Sequence, residues 1–286
     1  MSDERTGDDV SAAAEGDDRN ERAGGDAGRV GTSRGAGAAI ELDGVERRYG
    51  ERVALSGVTV RLEAGQTLAV LGSNGAGKTT LLRVLATLLR PHAGVARVLG
   101  HELPDEAWKV RGGIGYLGHD PLLYRELTGR ENLVYHARLH GLMDGLRSPD
   151  EGLASPGAHN RASSLDGGLA RVEERLKAVG MARRADDPVR DLSKGMVQRL
   201  AVARATLHDP ALLLLDEPRA NLDPAAAEAL EPLIGRASGK TRVLVTHDVE
   251  GGLAEADVAL GLRGGKQAFC RPAGEVDAAT ARGLYS

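Results

Sequence analysis

Apolar and polar positions fall into a regular pattern only from about residue 40. Residues 40–50, IELDGVERRYG, alternate with the period of two that a half-buried strand needs. VALSGVTVRLEAGQTLAVLG, residues 53–72, predicts two more strands divided by a turn at Glu63-Ala64-Gly65. The second of them, from Thr67 to Leu71, is an apolar strand that runs straight into a glycine-rich loop. LLRVLATLLRP, residues 81–91, has helical spacing and stops at Pro91. GVARVLG, residues 94–100, predicts a short strand. Residues 104–181 read as mostly helical, with ENLVYHARLHGL (131–142) and GLARVEERLKAVGM (168–181) as the clearest helices. Between those two, residues 143–168 are crowded with Gly, Ser, Pro, Asp and Ala and predict an inserted flexible loop. A helix over 194–208, a buried strand over 211–215, a helix over 225–237 and a strand over 241–246 complete the pattern.

Apolar strands that alternate with helices imply an α/β fold with a parallel sheet covered on both faces. No internal repeat is present, so residues 39–286 are expected to form a single domain. Residues 1–38 are acidic, rich in Gly and Ala, and almost free of large apolar side chains. Such a segment cannot bury enough surface to offset its ordering entropy, so it is expected to be a disordered tail.

Composition narrows the function classes. Hydrophobic residues make up 41% of the 286-residue chain, enough for one sizeable core. A net charge of −4 gives no electrostatic reason to expect nucleic acid as a partner. Cys270 is the only cysteine, which excludes an intramolecular disulfide and a cysteine metal cluster. The first residues, MSDERTGDDV, are acidic where a secretion signal would be basic, and no apolar run approaches the length of a membrane span. A cytoplasmic location is expected, with any membrane role arriving through a partner.

The glycine-rich loop carries the first chemistry. Gly72-Ser73-Asn74-Gly75-Ala76-Gly77-Lys78-Thr79-Thr80 fits the phosphate-loop pattern G-x-x-x-x-G-K-[ST], with a strand before it and a helix after it. Glycines let the backbone curl so that its N–H groups face phosphate, and the helix N-terminus favours the same anion. Lys78 can reach the β- and γ-phosphates, and the Thr79 hydroxyl can hold Mg²⁺. In LLLLDEP, residues 212–218, an apolar strand ends in Asp216 and Glu217. Ligands of parallel sheets bind at the carboxyl ends of strands. Asp216 is therefore placed to support Mg²⁺, and Glu217 to act as general base on an attacking water.

Further segments make the resemblance specific. Residues 191–199, DLSKGMVQR, resemble the LSGGQ signature of ABC ATPases. Asn221-Leu222-Asp223 resembles the loop that crosses their dimer interface, His247 their switch histidine, and Tyr49 the aromatic that stacks on adenine. Over residues 40–269 the chain is similar to the ATP-binding subunits of ABC transporters. That resemblance implies a P-loop NTPase with a RecA-like core, an N-terminal antiparallel β subdomain and an inserted helical subdomain over about residues 103–190. It further implies a head-to-tail homodimer or heterodimer in which each ATP touches Lys78 and Thr79 of one subunit and Ser193 and Gly195 of the other. A separate transmembrane permease would hold the dimer on the inner face of the cell membrane.

Several positions depart from the family pattern. Lys194 and Met196 replace residues of the signature, the crossing loop begins Arg219-Ala220, and His119 stands where most relatives have glutamine. Imidazole is a poor ligand for Mg²⁺, which prefers oxygen. The metal is therefore expected to rest on Thr79, Asp216, phosphate and water, with His119 turned to water or the permease. GYLGHDPLLYRELTGRENL (115–133) and LSKGMVQRLAVARATLHDPALLLLDEP (192–218) are similar to the haem exporters of cytochrome c maturation. Exporters of drugs, lipids or polysaccharides, and soluble ABC ATPases of assembly complexes, are the alternatives.

Overall fold

The structure, a computed structural model, describes residues 37–143 and 161–285. Most of the expected tail, through residue 36, and residues 144–160 of the expected loop lie outside the described residues. Ten strands form one curled sheet in the order β5-β4-β1-β2-β10-β9-β3-β8-β7-β6. At one end, β1 (Ala38–Tyr49), β2 (Arg52–Glu63), β4 (Ala93–Val98) and β5 (His101–Leu103) pair antiparallel. At the other, β3 (Thr67–Leu71), β6 (Ile114–Leu117), β7 (Leu212–Asp216), β8 (Thr241–Val245) and β9 (Val258–Arg263) run parallel. Strand β10 (Lys266–Pro272) joins the two parts, antiparallel to β9 and parallel to β2.

Every residue of β3, β7 and β8 is buried, which explains why residues 68–71, 212–215 and 243–245 read as apolar runs. Successive strand residues face opposite sides of the sheet. Accordingly Leu212 and Leu214 pack in a core with Leu81 and Leu85 of α1 (Lys78–Leu85). Leu213 and Leu215 pack on the other side, with Leu200 of α5 (Lys194–Thr206) and with the helical part of the molecule.

The expected helical subdomain over 103–190 needs correction. Before its first long helix lie β5, α2 (Ala107–Val110) and β6, and β6 is a full member of the parallel sheet. Its four residues include Gly115 and are too few to show a period. The helices proper are α3 (Gly129–Leu139) and α4 (Arg161–Ala178), packed against α5. The expected loop over 143–168 is also too long. Met143 is 4% exposed, and α4 begins at Arg161. A Cβ on Gly168 would lie 2.6 Å from the Leu142 carbonyl, so this glycine is a packing residue rather than a loop residue. Thr128 caps α3 in a capping box with Glu131. No pattern was expected beyond residue 246, yet α6 (Pro224–Ile234) and β8 are followed by α7 (Val249–Glu255), β9, β10 and α8 (Ala278–Arg282).

One cluster in the helical part predicts acid sensitivity. The His140 and His208 rings stack at 3.8 Å, and His208 Nε2 lies 3.0 Å from the Ile114 carbonyl. Burial first, and then the positive charge of Arg204, holds His136 at about 4. Burial, followed by the neighbouring His140, holds His208 at about 4. Unfolded histidine titrates near 6.5. The folded chain therefore excludes protons that the unfolded chain accepts, and stability present above about pH 6.5 is lost as pH falls towards 4. The limiting slope is roughly 1.4 kcal/mol per pH unit and imidazole, reduced here because the rings are partly open to solvent. Urea unfolding at pH 7.5, 6 and 5 is expected to show a falling midpoint, and a flatter fall in a His136→Gln/His208→Gln variant. An equally steep fall in that variant would remove these histidines as the cause.

Candidate functional site

The carboxyl ends of β3, β7 and β8 open into one cleft of about 510 Å³. Strand β3 delivers the glycine-rich loop. Gly72 (φ 146°), Gly75 (φ 80°) and Gly77 (φ 108°) all take left-handed backbone that only glycine enters freely. At two of them a side chain has no room: a Cβ would lie 2.3 Å from the Leu262 carbonyl at Gly72 and 2.5 Å from the Ala54 carbonyl at Gly77. Gly77 is also the N-cap of α1, with no side-chain cap and no acid in the first turn. The free N–H groups of this helix end therefore remain for an anion.

Lys78 is 7% exposed. Its ammonium donates to the carbonyls of Gly72 (2.6 Å) and Ser73 (3.0 Å). Burial lowers its pKa, while the nearby Asp216 and Glu217 carboxylates oppose that shift. The Thr79 hydroxyl donates to Asp216 Oδ2 at 3.1 Å, so two hard oxygen donors meet at the cleft floor. That donor set suits Mg²⁺, which takes oxygen ligands and keeps several of its waters.

Glu217 begins the turn after β7. Its φ of 51° is left-handed, a strained conformation for this residue. Its amide donates to the Val245 carbonyl at 2.9 Å, and Gln198 Nε2 donates to the Pro218 carbonyl at 3.0 Å. Burial raises the Glu217 pKa; His247 and Lys78 pull it down, and Asp216 adds to the rise. Glu217 Oε1 is buried without a hydrogen-bond partner, although His247 Nε2 stands 3.5 Å away, close enough for attraction but too far for a good hydrogen bond. A buried carboxylate oxygen with its lone pairs unspent suits acceptance of a proton from a cleft water.

Tyr49, Asn74, Gly75, Gly77, Lys78, Thr79, Thr80, His119, Asp216, Glu217 and His247 therefore line one cleft. Tyr49 is 44% exposed and sits under the Arg47 guanidinium, 5.1 Å from the ring centre. Gly72, Ser73 and Ala76 shape the loop from behind it. Sequence reasoning missed Arg52 and Arg83, which also line the cleft. Arg83 was findable, because it lies one helical turn beyond Thr79 on the face that Thr79 presents. His119 borders a second cavity as well, about 530 Å³, lined by Leu123, Arg125, Arg190, Leu192 and Lys194.

Ser193, Gly195 and Asp223 are not brought to this cleft. Ser193 caps α5 by accepting from the Met196 amide at 3.3 Å. Gly195 lies against the Asn221 carbonyl, which a Cβ would approach to 2.9 Å. Asp223 caps α6, accepting from the Ala226 amide at 2.8 Å, and lies 3.5 Å from the Arg199 guanidinium.

Comparison with known proteins agrees with this geometry. Residues 55–220 match the family described as ABC transporter. The daunorubicin resistance ATP-binding protein DrrA3 of Streptomyces coeruleorubidus is 42% identical over 78% of this chain and 63% of its own length. The phosphonates import ATP-binding protein PhnC of Anaeromyxobacter dehalogenans is 38% identical over 83% of this chain and 46% of its own. The Nod factor export ATP-binding protein I of Ralstonia nicotianae is 36% identical over 74% of this chain and 60% of its own. The chain thus spans about half to two thirds of the length of these relatives. Among solved structures, the dimeric ATP-binding cassette MJ0796 matches with a TM-score of 0.68 at 26% identity, over 82% of this chain and 98% of that one. A second structure of that cassette, in a post-hydrolysis state with ADP and Pi, matches with a TM-score of 0.67.

Proposed function

Because the chain belongs to the ABC transporter family, we propose that it is the ATP-hydrolysing subunit that powers a separate membrane permease, working as a dimer. The observation that carries this reading is the meeting of Lys78, Thr79, Asp216, Glu217 and His247 in one cleft, with Ser193 and Gly195 of the same chain outside it. A half-site of this kind is completed by the Ser193 and Gly195 of a second subunit.

In the proposed reaction, the glycine-loop N–H groups, the α1 terminus and Lys78 bind the phosphates. Thr79 and Asp216 would hold Mg²⁺, which would supply neutralisation of the phosphate charge. Tyr49 offers a ring face to the base. Glu217 orients the attacking water and accepts its proton, and His247 stands beside it at 3.5 Å. His119 borders both the cleft and the adjoining groove, which suits a contact with water or with the permease rather than with the metal. Among the described residues no helix is long and apolar enough to cross a membrane, so attachment to the inner membrane face falls to the permease.

The names of two of the three relatives speak of export or resistance, which favours an exporter. A haem-exporting role rests on the resemblance of residues 115–133 and 192–218 alone, and no haem exporter stands among the relatives described above. The full chain is expected to hydrolyse ATP only with Mg²⁺, and to bring down from membranes a protein with several apolar stretches of roughly 20 residues. Binding of ATP without hydrolysis, and without a membrane protein, would remove the motor reading. If that protein is recovered and c-type cytochromes stay normal in a gene deletion, the cargo is not haem.

A further inference from the structure

We propose that Arg219 is a positioning residue that locks the turn carrying Glu217 to the helix that follows His247. The proposal rests on the reading of Glu217 as the base. Between Glu217 and Asp223 the chain turns sharply, with the Ala220 amide on the Glu217 carbonyl at 3.0 Å and the Leu222 amide on the Arg219 carbonyl at 3.3 Å. The turn holds two residues with left-handed backbone, Glu217 (φ 51°) and Asn221 (φ 61°). Asparagine tolerates that region, whereas glutamate does so only where its surroundings force it.

Two sets of contacts supply the force. On one side α5 holds the turn, through Gln198 on the Pro218 carbonyl, Gly195 against Asn221, and Arg199 beside Asp223. On the other side the Glu217 amide holds the Val245 carbonyl at 2.9 Å, and Arg219 is the side chain of the turn that reaches out. Its guanidinium pairs with Glu231 of α6 and, at 2.5 Å, with Glu255 Oε1 at the end of α7. The other oxygen of Glu255 lies 3.1 Å from Arg242, whose side chain is 1% exposed. Arg242 donates to the Thr67 hydroxyl at 3.1 Å and to the Ile234 carbonyl at 3.0 Å. Thr67 begins β3, the strand that ends in the phosphate loop, and α7 begins directly after His247 and its capping neighbour Asp248.

Arg219 is thus a side-chain tie, added to the Glu217–Val245 backbone bond, between the turn of the proposed base and the frame of the switch histidine and phosphate loop. An isolated surface ion pair contributes little. Here one planar guanidinium bridges two carboxylates, and one of those is fixed by a buried arginine, so the arrangement defines a position and not merely an attraction. Removal of Arg219 leaves Glu255 paired with Arg242. The fold is therefore expected to survive while the turn of Glu217 loses one of its restraints. The departure Arg219-Ala220 at the start of the crossing loop acquires a purpose in this way.

The test is steady-state ATP hydrolysis by the full chain, with Glu217→Gln as the control for the underlying reading. If that control hydrolyses at the parental rate, the assignment of the base fails whatever Arg219 does. With the control silent, Arg219→Ala is expected to lower kcat about tenfold while KM for ATP stays within twofold. Arg219→Lys, which keeps the charge but cannot hold two carboxylates in one plane, is expected to recover only part of the rate. A parental kcat in Arg219→Ala, or a rise in KM with kcat unchanged, overturns the proposal. Should Arg219→Ala lose its cooperative thermal transition, Arg219→Lys decides: a threefold or greater fall in kcat supports the proposal, and the parental rate overturns it.

Discussion

Glu217→Gln is expected to reduce ATP hydrolysis by two to four orders of magnitude while leaving ATP binding close to normal. Glutamine fills the same space and keeps an acceptor oxygen, so the strained turn and the bond from its amide to Val245 are retained. What it loses is the ability to take a proton. General base catalysis is worth about 10² to 10⁴ in rate, or roughly 2.7 to 5.5 kcal/mol of barrier. Burial raises the pKa of Glu217, which brings its basicity nearer to that needed at neutral pH, and glutamine discards this advantage entirely. With hydrolysis blocked and nucleotide retained, the proposed dimer is expected to accumulate. Size-exclusion chromatography in Mg²⁺ and ATP would show a shift to twice the monomer mass that is absent without nucleotide. Hydrolysis at near the parental rate would remove Glu217 from the role of base.

Lys78→Ala is expected to act at the earlier step and to weaken ATP binding itself by about 10- to 100-fold. Charge-assisted hydrogen bonds contribute roughly 1.5 to 3 kcal/mol each, which converts to that range. The ammonium is already held near the phosphate position by the carbonyls of Gly72 and Ser73, so the bound chain spends little entropy in fixing it. Removal also takes a positive charge away from Asp216 and Glu217 inside the cleft, which further disfavours an anion there. Fluorescence titration with a labelled ATP separates the two variants: affinity falls in Lys78→Ala and stays within a few fold of parental in Glu217→Gln. Equal affinity in both would show that the backbone N–H groups bind the phosphates without help from the lysine.

The pattern of burial explains which features could be foreseen. Thr67 to Leu71, residues 212–215 and residues 241–245 are buried on both faces, so the apolar runs within them at residues 68–71, 212–215 and 243–245 announced these strands directly. The phosphate loop was equally plain, because its glycines answer a local backbone demand that no other residue meets at Gly72 and Gly77. Strand β6 escaped notice. Its four residues gain their extended form from pairing with β7, and nothing local distinguishes them from a loop. The start of α4 was hidden for a related reason, since Gly168 reads as flexible until its contact with Leu142 is seen.

The sequence by itself determined the phosphate loop, the Asp216-Glu217 pair at a strand end, and the family that these motifs and the signature identify. Each is written in contiguous residues whose spacing follows from backbone geometry. Only the tertiary structure decided which of these residues share a cleft, that Ser193, Gly195 and Asp223 stand outside it, and that Arg83 and Arg52 enter it. It alone joined Arg219 to Glu231 and Glu255, partners distant along the chain, and Glu255 in turn to Arg242. Such pairings depend on how β7, β8, α6 and α7 pack. Packing is settled by burial summed over the whole core, which no local pattern of residues encodes.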